Sequence, residues 1–170
     1  MSQEKKPEIP KKKTNGARNR NAGHSLERDI ARILRECGFP NAVTSRVESK
    51  KRDDAKVDLM NKDEETNGRI PYNIQAKNCC TTISYPLILS QMPKGKEYNV
   101  IIHNQTEKVG VSGRFLTKGQ FAIMHSTDFF TLIKELEDIK KGFNILNDYF
   151  DSIPDEEKPK VHSQLEDLGL

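Results

Sequence analysis

Asp58, Gln75, Lys77 and Glu27 are the residues of this 170-residue chain whose types and spacing suit catalysis. The run Lys56-Val57-Asp58-Leu59-Met60 predicts a strand whose two-residue period turns Val57 and Leu59 one way and Asp58 the other. In Tyr72-Asn73-Ile74-Gln75-Ala76-Lys77, the residues Tyr72, Ile74 and Ala76 share one face, and Asn73, Gln75 and Lys77 share the opposite one. If these strands pair, Asp58, Gln75 and Lys77 converge on one polar patch of a buried sheet. Glu27 lies beside the apolar stripe of an earlier helix, where its carboxylate would overhang that patch. Taken singly, Asp58 or Lys77 reads as solvated surface, and Glu27 as a partner of a neighbouring basic residue. Their setting inside apolar strands argues otherwise, because unpaired buried charge is costly. An acid, an amide and a lysine around one point equip a site for metal-assisted phosphodiester hydrolysis. Hard cations take oxygen ligands, and bound Mg²⁺ polarises a phosphoryl oxygen and acidifies the attacking water. Lys77 would orient that water or balance charge on the phosphorane.

Helices and strands must hold these groups in place. Leu26, Ile30, Ile33, Leu34 and Cys37 recur at helical spacing after Ser25, a capping residue, and Gly38 ends the helix. Ala42 to Arg46 predicts a short strand, and the charged stretch Glu48 to Lys56 a loop or hairpin tip joining it to the Asp58 strand. Turn-rich residues Asn61 to Gly68 lead to a third strand, Ile70 to Asn78. Ser84 to Met92 predicts a helix with Leu87, Ile88 and Gln91 toward the sheet or substrate. Tyr98 to His103 is nearly all apolar, as in a strand covered on both faces. Phe121 to His125 predicts a further strand. Phe129, Leu132, Ile133, Leu136 and Ile139 mark a long amphipathic helix, with one more short helix over 142–151. Gly110 to Gly119 reads as a flexible basic loop, with Arg114 its candidate strand contact; it lacks the order of a P-loop. No internal repeat stands out. The fold class expected is α/β, a mixed sheet flanked by helices.

Composition limits the rest. Hydrophobic residues make up 34% of the chain and charged residues 31%, so a core is feasible only where the apolar residues concentrate, in the middle. The first twenty residues set Lys5, Lys6, Lys11, Lys12, Lys13, Arg18 and Arg20 against only Glu4 and Glu8. The rest is therefore slightly acidic, although the whole chain carries +3. A basic arm on a near-neutral body suits nonspecific phosphate contact, or simply solubility. Three cysteines without a Cys-x-x-Cys pair form neither a disulfide framework nor a zinc site, and they suit a reducing cytoplasm. No apolar run reaches membrane-spanning length, and the lysine-rich start lacks the apolar segment of a signal peptide.

Gly23-His24-Ser25-Leu26-Glu27-Arg28, Thr44-Ser45-Arg46, Lys56-Val57-Asp58-Leu59 and Tyr72-Asn73-Ile74-Gln75-Ala76-Lys77-Asn78 together resemble the core of the PD-(D/E)xK nucleases. The archaeal-type Holliday junction resolvases are the nearest likeness, over roughly residues 22–135. The resemblance implies a restriction endonuclease-like core and a Mg²⁺-dependent endodeoxyribonuclease, with Mn²⁺ as a substitute ion. Glu27, Asp58, Gln75 and the Ala76 carbonyl would hold the metal, with Lys77 and Ser45 catalytic. Gln75 departs from the family's usual glutamate, which lowers the charge of the site and raises the alternative of an inactive one. Composition marks off a disordered basic arm (1–21) and a flexible tail (153–170), and the resemblance makes the residues between them a nuclease domain (22–152). Arg46, Lys50, Lys51, Arg52, Lys56 and Arg114 are the candidate DNA contacts. Asp53 and Asp54 are rival ligands, and His103 and His125 read as structural histidines. A four-way junction substrate implies a homodimer, in a bacterial, archaeal or phage-infected cytoplasm. The competing readings are a restriction, nicking or repair nuclease, a nuclease-fold DNA-binding module without activity, and an adaptor tethering DNA to a clamp. The last of these draws on the terminus: Gln164, Leu165, Leu168 and Leu170 resemble peptides that dock on the sliding clamp of bacterial replication.

Overall fold

The computed structural model describes residues 15–110, 114–154 and Lys158. The chain divides into two units, Met1–Met124 and His125–Leu170, where the sequence suggested one domain over 22–152. The first unit is an α/β fold around a mixed five-stranded sheet.

Helix α1 spans Asn15–Glu36. Its Leu26, Ile30 and Ala31 are buried, and Leu34 packs beside them. Gly38 ends it at φ +97°, with the Phe39 N–H on the Leu34 carbonyl at 3.0 Å and the Gly38 N–H on the Arg35 carbonyl at 3.4 Å. That left-handed turn is the Schellman ending a glycine makes possible. The helix starts ten residues before the expected Ser25, so the last part of the expected arm is ordered. The added turns lack an apolar stripe and are held from outside: Asn78 Nδ2 donates to the Ala22 carbonyl at 3.1 Å, and Arg18 lies over the Phe115 ring. Residues 1–14 lie outside the described residues.

Strand β1 (Ala42–Thr44) runs antiparallel to β2 (Leu59–Asn61), the expected hairpin. The stretch between them is not a bare loop. It forms α2 (Ser45–Glu48) and α3 (Lys50–Asp54). Ser49 caps α3 by accepting from the Arg52 N–H at 3.4 Å. Lys56 closes α3 at φ +62°, its N–H on the Asp53 carbonyl and the Val57 N–H on the Arg52 carbonyl, each at 3.0 Å. This is the same ending as at Gly38, built here on a residue with a Cβ. Val57 and Asp58 precede β2 instead of lying within it.

After the single turn α4 (Glu64–Asn67), β3 (Tyr72–Cys79) pairs with β2 through Leu59 and Ile74. Helix α5 (Tyr85–Gln91) then crosses to β4 (Tyr98–Val109), which runs parallel to β3 with Tyr72 opposite Tyr98 and Asn78 opposite Asn104. Strand β5 (Arg114–Ile123) returns antiparallel to β4, with a register shift at Gln105/Thr106. The strand order is β1-β2-β3-β4-β5. Most of the expected loop 110–119 is therefore strand, because Val109 already pairs with Arg114 and Lys108 with Phe115.

Two layers of core cover the sheet. On one face α1 packs against Leu59 and Ile74, with Tyr72, Ala76 and Ile102 alongside. On the other, Leu89 and Met92 close over Ile101, with Tyr85, Ile88 and Ile123 alongside. Ile101 and Ile102 thus fill opposite faces, as expected of a doubly covered strand. Of the three residues expected toward the sheet or substrate, Ile88 packs on this core, while Leu87 and Gln91 are exposed. Leu89 and Met92, at and just past the end of the helix, complete the inner side.

The second unit contains α6 (Ser126–Ser152), one continuous helix in place of two. Phe129, Ile133, Leu136 and Ile139 along it are exposed. No helix among the described residues is long and apolar enough to cross a membrane.

Candidate active site where β2 and β3 part

The ladder between β2 and β3 ends at Asp58. Its N–H donates to the Ile74 carbonyl at 2.8 Å, and its Oδ2 accepts from the Ala76 N–H at 2.7 Å. The carboxylate thus takes a β3 donor that a longer β2 would have paired. Within a strand, the N–H and C=O of one residue point to the same side. The Ala76 carbonyl therefore opens into the gap that its N–H shares with Asp58.

The carboxyl of Asp58 is held above the ordinary carboxylate range. Burial is the largest cause; the Ala76 N–H opposes it, Glu27 adds to it, Lys77 opposes and Asp53 adds. Glu27 and Lys77, separated by fifty residues of sequence, thus both act on Asp58. Asp53, a rival ligand candidate in the sequence, joins that field from α3.

Glu27 is ion-paired with Arg46, just beyond β1. Ser45 is fully buried and donates its N–H to the Asp58 carbonyl at 2.9 Å, while its Oγ has no hydrogen-bond partner. Gln75 is 5% exposed and sits on β3 between the two residues whose backbone holds Asp58. Register places Gln75 opposite Ile101 and Lys77 opposite His103, on the face away from α1. The alternation expected along this strand is therefore what the sheet contains.

Other expected contacts sort differently. Lys50, Lys51 and Lys56 are exposed. Arg52 is not a free cation: its guanidinium is bidentate on Glu64, at 2.7 and 3.3 Å, and reaches Asn73 Oδ1 at 3.3 Å. It ties α3 to α4 and β3, a structural clamp instead of a phosphate contact. Arg46 is engaged by Glu27. Arg114 opens β5, but its side chain lies outside the described residues, as do Gln164, Leu165, Leu168 and Leu170. His103 is buried between Tyr85 Oη at 2.8 Å and Cys79 Sγ at 3.5 Å, a satisfied structural histidine as expected. His125 precedes α6 in the second unit, and its backbone carbonyl accepts the Phe129 N–H at 3.0 Å.

Among the described residues no three His, Cys, Asp or Glu side chains gather closely enough to hold a metal ion. The available donors are oxygens of mixed type: the carboxylates of Asp58 and Glu27, the Gln75 amide, the Ala76 carbonyl and the unpartnered Ser45 hydroxyl. Such a set fits a hard cation and not a soft one. A cation beside Asp58 would also offset the burial and like-charge repulsion that oppose its ionisation. Comparison with protein-family models, curated proteins and solved structures finds no match to this chain.

Proposed function

We propose that the first unit is the core of a Mg²⁺-dependent DNA endonuclease of the PD-(D/E)xK type, selective for branched DNA and acting as a homodimeric Holliday junction resolvase in the cytoplasm. The observation that carries this reading is Asp58, its carboxylate fixed on the Ala76 N–H where β2 and β3 part, with Glu27 and Lys77 both acting on it. Asp58, Gln75 and the Ala76 carbonyl would hold the ion, joined by Glu27 once it leaves Arg46. Bound Mg²⁺, or Mn²⁺ in its place, supplies charge at the phosphoryl oxygen and a more acidic water. The Lys77 ammonium, on the face of β3 away from α1, orients the attacking water and offsets charge on the phosphorane. Arg46, released by Glu27, becomes a cation for the scissile strand. Lys50, Lys51 and Lys56 hold the phosphate backbone without reading sequence.

The test is cleavage of an end-labelled four-way junction beside a linear duplex. Wild type with Mg²⁺ is expected to make paired cuts near the crossover and to leave the duplex intact. Lys77→Ala is expected to cut about 10²-fold more slowly or worse. Binding without cutting, in both Mg²⁺ and Mn²⁺, would instead establish the second reading, a DNA-binding module. That reading is favoured by the neutral Gln75 and by the absence of a three-carboxylate cluster among the described residues.

Lys56 supplies a separate prediction. A left-handed conformation costs a residue with a Cβ about 1–2 kcal/mol, and such outliers persist where the side chain is used. Lys56→Gly keeps the backbone and removes the cation. Urea unfolding is expected to give unchanged stability or a gain of up to about 1 kcal/mol. Junction affinity is expected to fall, and the slope of log K against log salt to shrink by about one. An unchanged salt slope would make Lys56 a solvated charge.

A further inference from the structure

No residue of α6 is buried, although the helix runs for 27 residues. A helix is held mainly by what its apolar face packs against, so α6 lacks the cover that its length calls for. Its apolar residues follow a repeat of seven. Phe129, Leu132, Leu136, Ile139, Phe143 and Leu146 stand alternately three and four positions apart. Leu132 is half-buried, and the other five are between 48% and 61% exposed. Phe150 would come next, but the Lys158 ammonium lies over its ring, and the repeat is complete without it. These six residues occupy the a and d positions of three successive heptads. The position opposite that seam, f, is held by Lys134, Lys141 and Asp148. Ile133 and Tyr149 border the seam, while Phe130 and Ile145 lie off it. An apolar seam kept over three heptads beside charged flanks is the pattern of helices wound on one another.

Charge selects the direction of the partner. Glu135 flanks the seam at a g position and Lys140 at an e position. In an antiparallel pair e faces e and g faces g, and neither set along α6 holds both an acid and a base. In a parallel pair, the g residue of one heptad faces the e residue of the next heptad on the other helix. Each Glu135 then meets Lys140 of the second copy, twice over by symmetry. Lys140 rests on Glu137 of its own helix at 2.7 Å, an exposed pair that is cheaply exchanged. We propose that α6 is the dimer interface of this protein. Two copies wind their α6 helices into a parallel coiled coil through this seam, with Glu135 and Lys140 setting the direction. Both helix N-termini then lie at one end of the pair, and the chain leads from that end to both first units. The seam gives the homodimer of the proposed function its surface; the number of copies, two, rests on that reading.

The test is the mass of the full chain in solution by sedimentation equilibrium, without DNA or metal, so that a failure to pair is distinct from a failure to cleave. Wild type is expected at twice the 19.4 kDa of one chain. Ile139→Glu, in the seam, is expected to be monomeric at the same concentration, and Lys141→Glu, opposite it, to stay dimeric. Both positions are exposed and glutamate is a good helix former, so neither variant is expected to unfold the chain. Glu135→Lys and Lys140→Glu are each expected to weaken pairing at least about tenfold, because like charges then face one another beside the seam. Mixed in equal amounts, these two variants are expected to pair with each other as tightly as wild type does. A monomeric wild type overturns the proposal and leaves the seam to be covered by another protein or by the rest of its own chain. A dimer that survives Ile139→Glu overturns it by placing the interface elsewhere. Failure of the mixed variants to pair overturns the parallel direction, and a larger oligomer overturns the two-stranded form.

Discussion

Asp58→Asn is expected to abolish junction cleavage and, at neutral pH without metal, to make the folded domain more stable. Asparagine keeps an oxygen for the Ala76 N–H but loses the charge that a hard cation needs. Loss of a single electrostatic group at a reacting centre costs about 10²–10³ in rate, and loss of a ligand costs at least as much. The gain in stability follows from the pKa of Asp58, raised above its ordinary value of 3.8. Just above that value the unfolded chain has released the proton that the folded chain still binds, so stability falls as pH rises through this window. Above the window, wild type carries the full cost of an ionised, largely buried carboxylate facing Glu27 and Asp53. Below it, Asp58 is neutral and the variant has no advantage. Urea unfolding in EDTA at neutral and acid pH measures both limits. Adding Mg²⁺ at 100 times Kd is expected to stabilise wild type by about 2.7 kcal/mol, seen as a higher melting temperature, and to leave the variant unchanged. A variant less stable than wild type at neutral pH, or one that still cuts, would remove Asp58 from the proposed role.

Leu59→Ala is expected to cost about 2–5 kcal/mol, a large share of the roughly 5–15 kcal/mol by which domains hold together. Leu59 is 1% exposed, touches the α1 core and forms the pairing between β2 and β3. A cavity there would loosen the ladder on which Asp58 sits, so cleavage should fall together with the folded fraction. Val47, 80% exposed, is the control, and Val47→Ala should change stability by no more than about 0.5 kcal/mol. Equal costs at the two positions would mean that α1 does not pack as described.

The α/β class, the order of the main elements and the alternation along β3 were legible because they depend on local periodicity. Gln75 and Lys77 must share a face of any strand that contains them, and Gly38 ends a helix wherever its φ of +97° is needed. A further signal lay unused in the sequence. Tyr72-Asn73 and Asn78 have the same spacing as Tyr98-Asn99 and Asn104, and these are the residues paired by the parallel register, with Asn73 Nδ2 donating to Asn99 Oδ1 at 3.0 Å.

The remainder depends on contacts between distant segments. The first turns of α1 have no apolar stripe, and contacts from Asn78 and Phe115 hold them. Glu48 to Lys56 reads as a charged loop, yet Arg52 turns inward because Glu64 offers two oxygens. Glu27 was placed near Asp58 by helix periodicity, but its pairing with Arg46 depends on where β1 ends. Which side chains share a face follows from each segment alone, since the backbone period is local. Which charges oppose one another, and which acceptor is left without a donor, depends on groups far apart in the chain and is decided only once they are packed together.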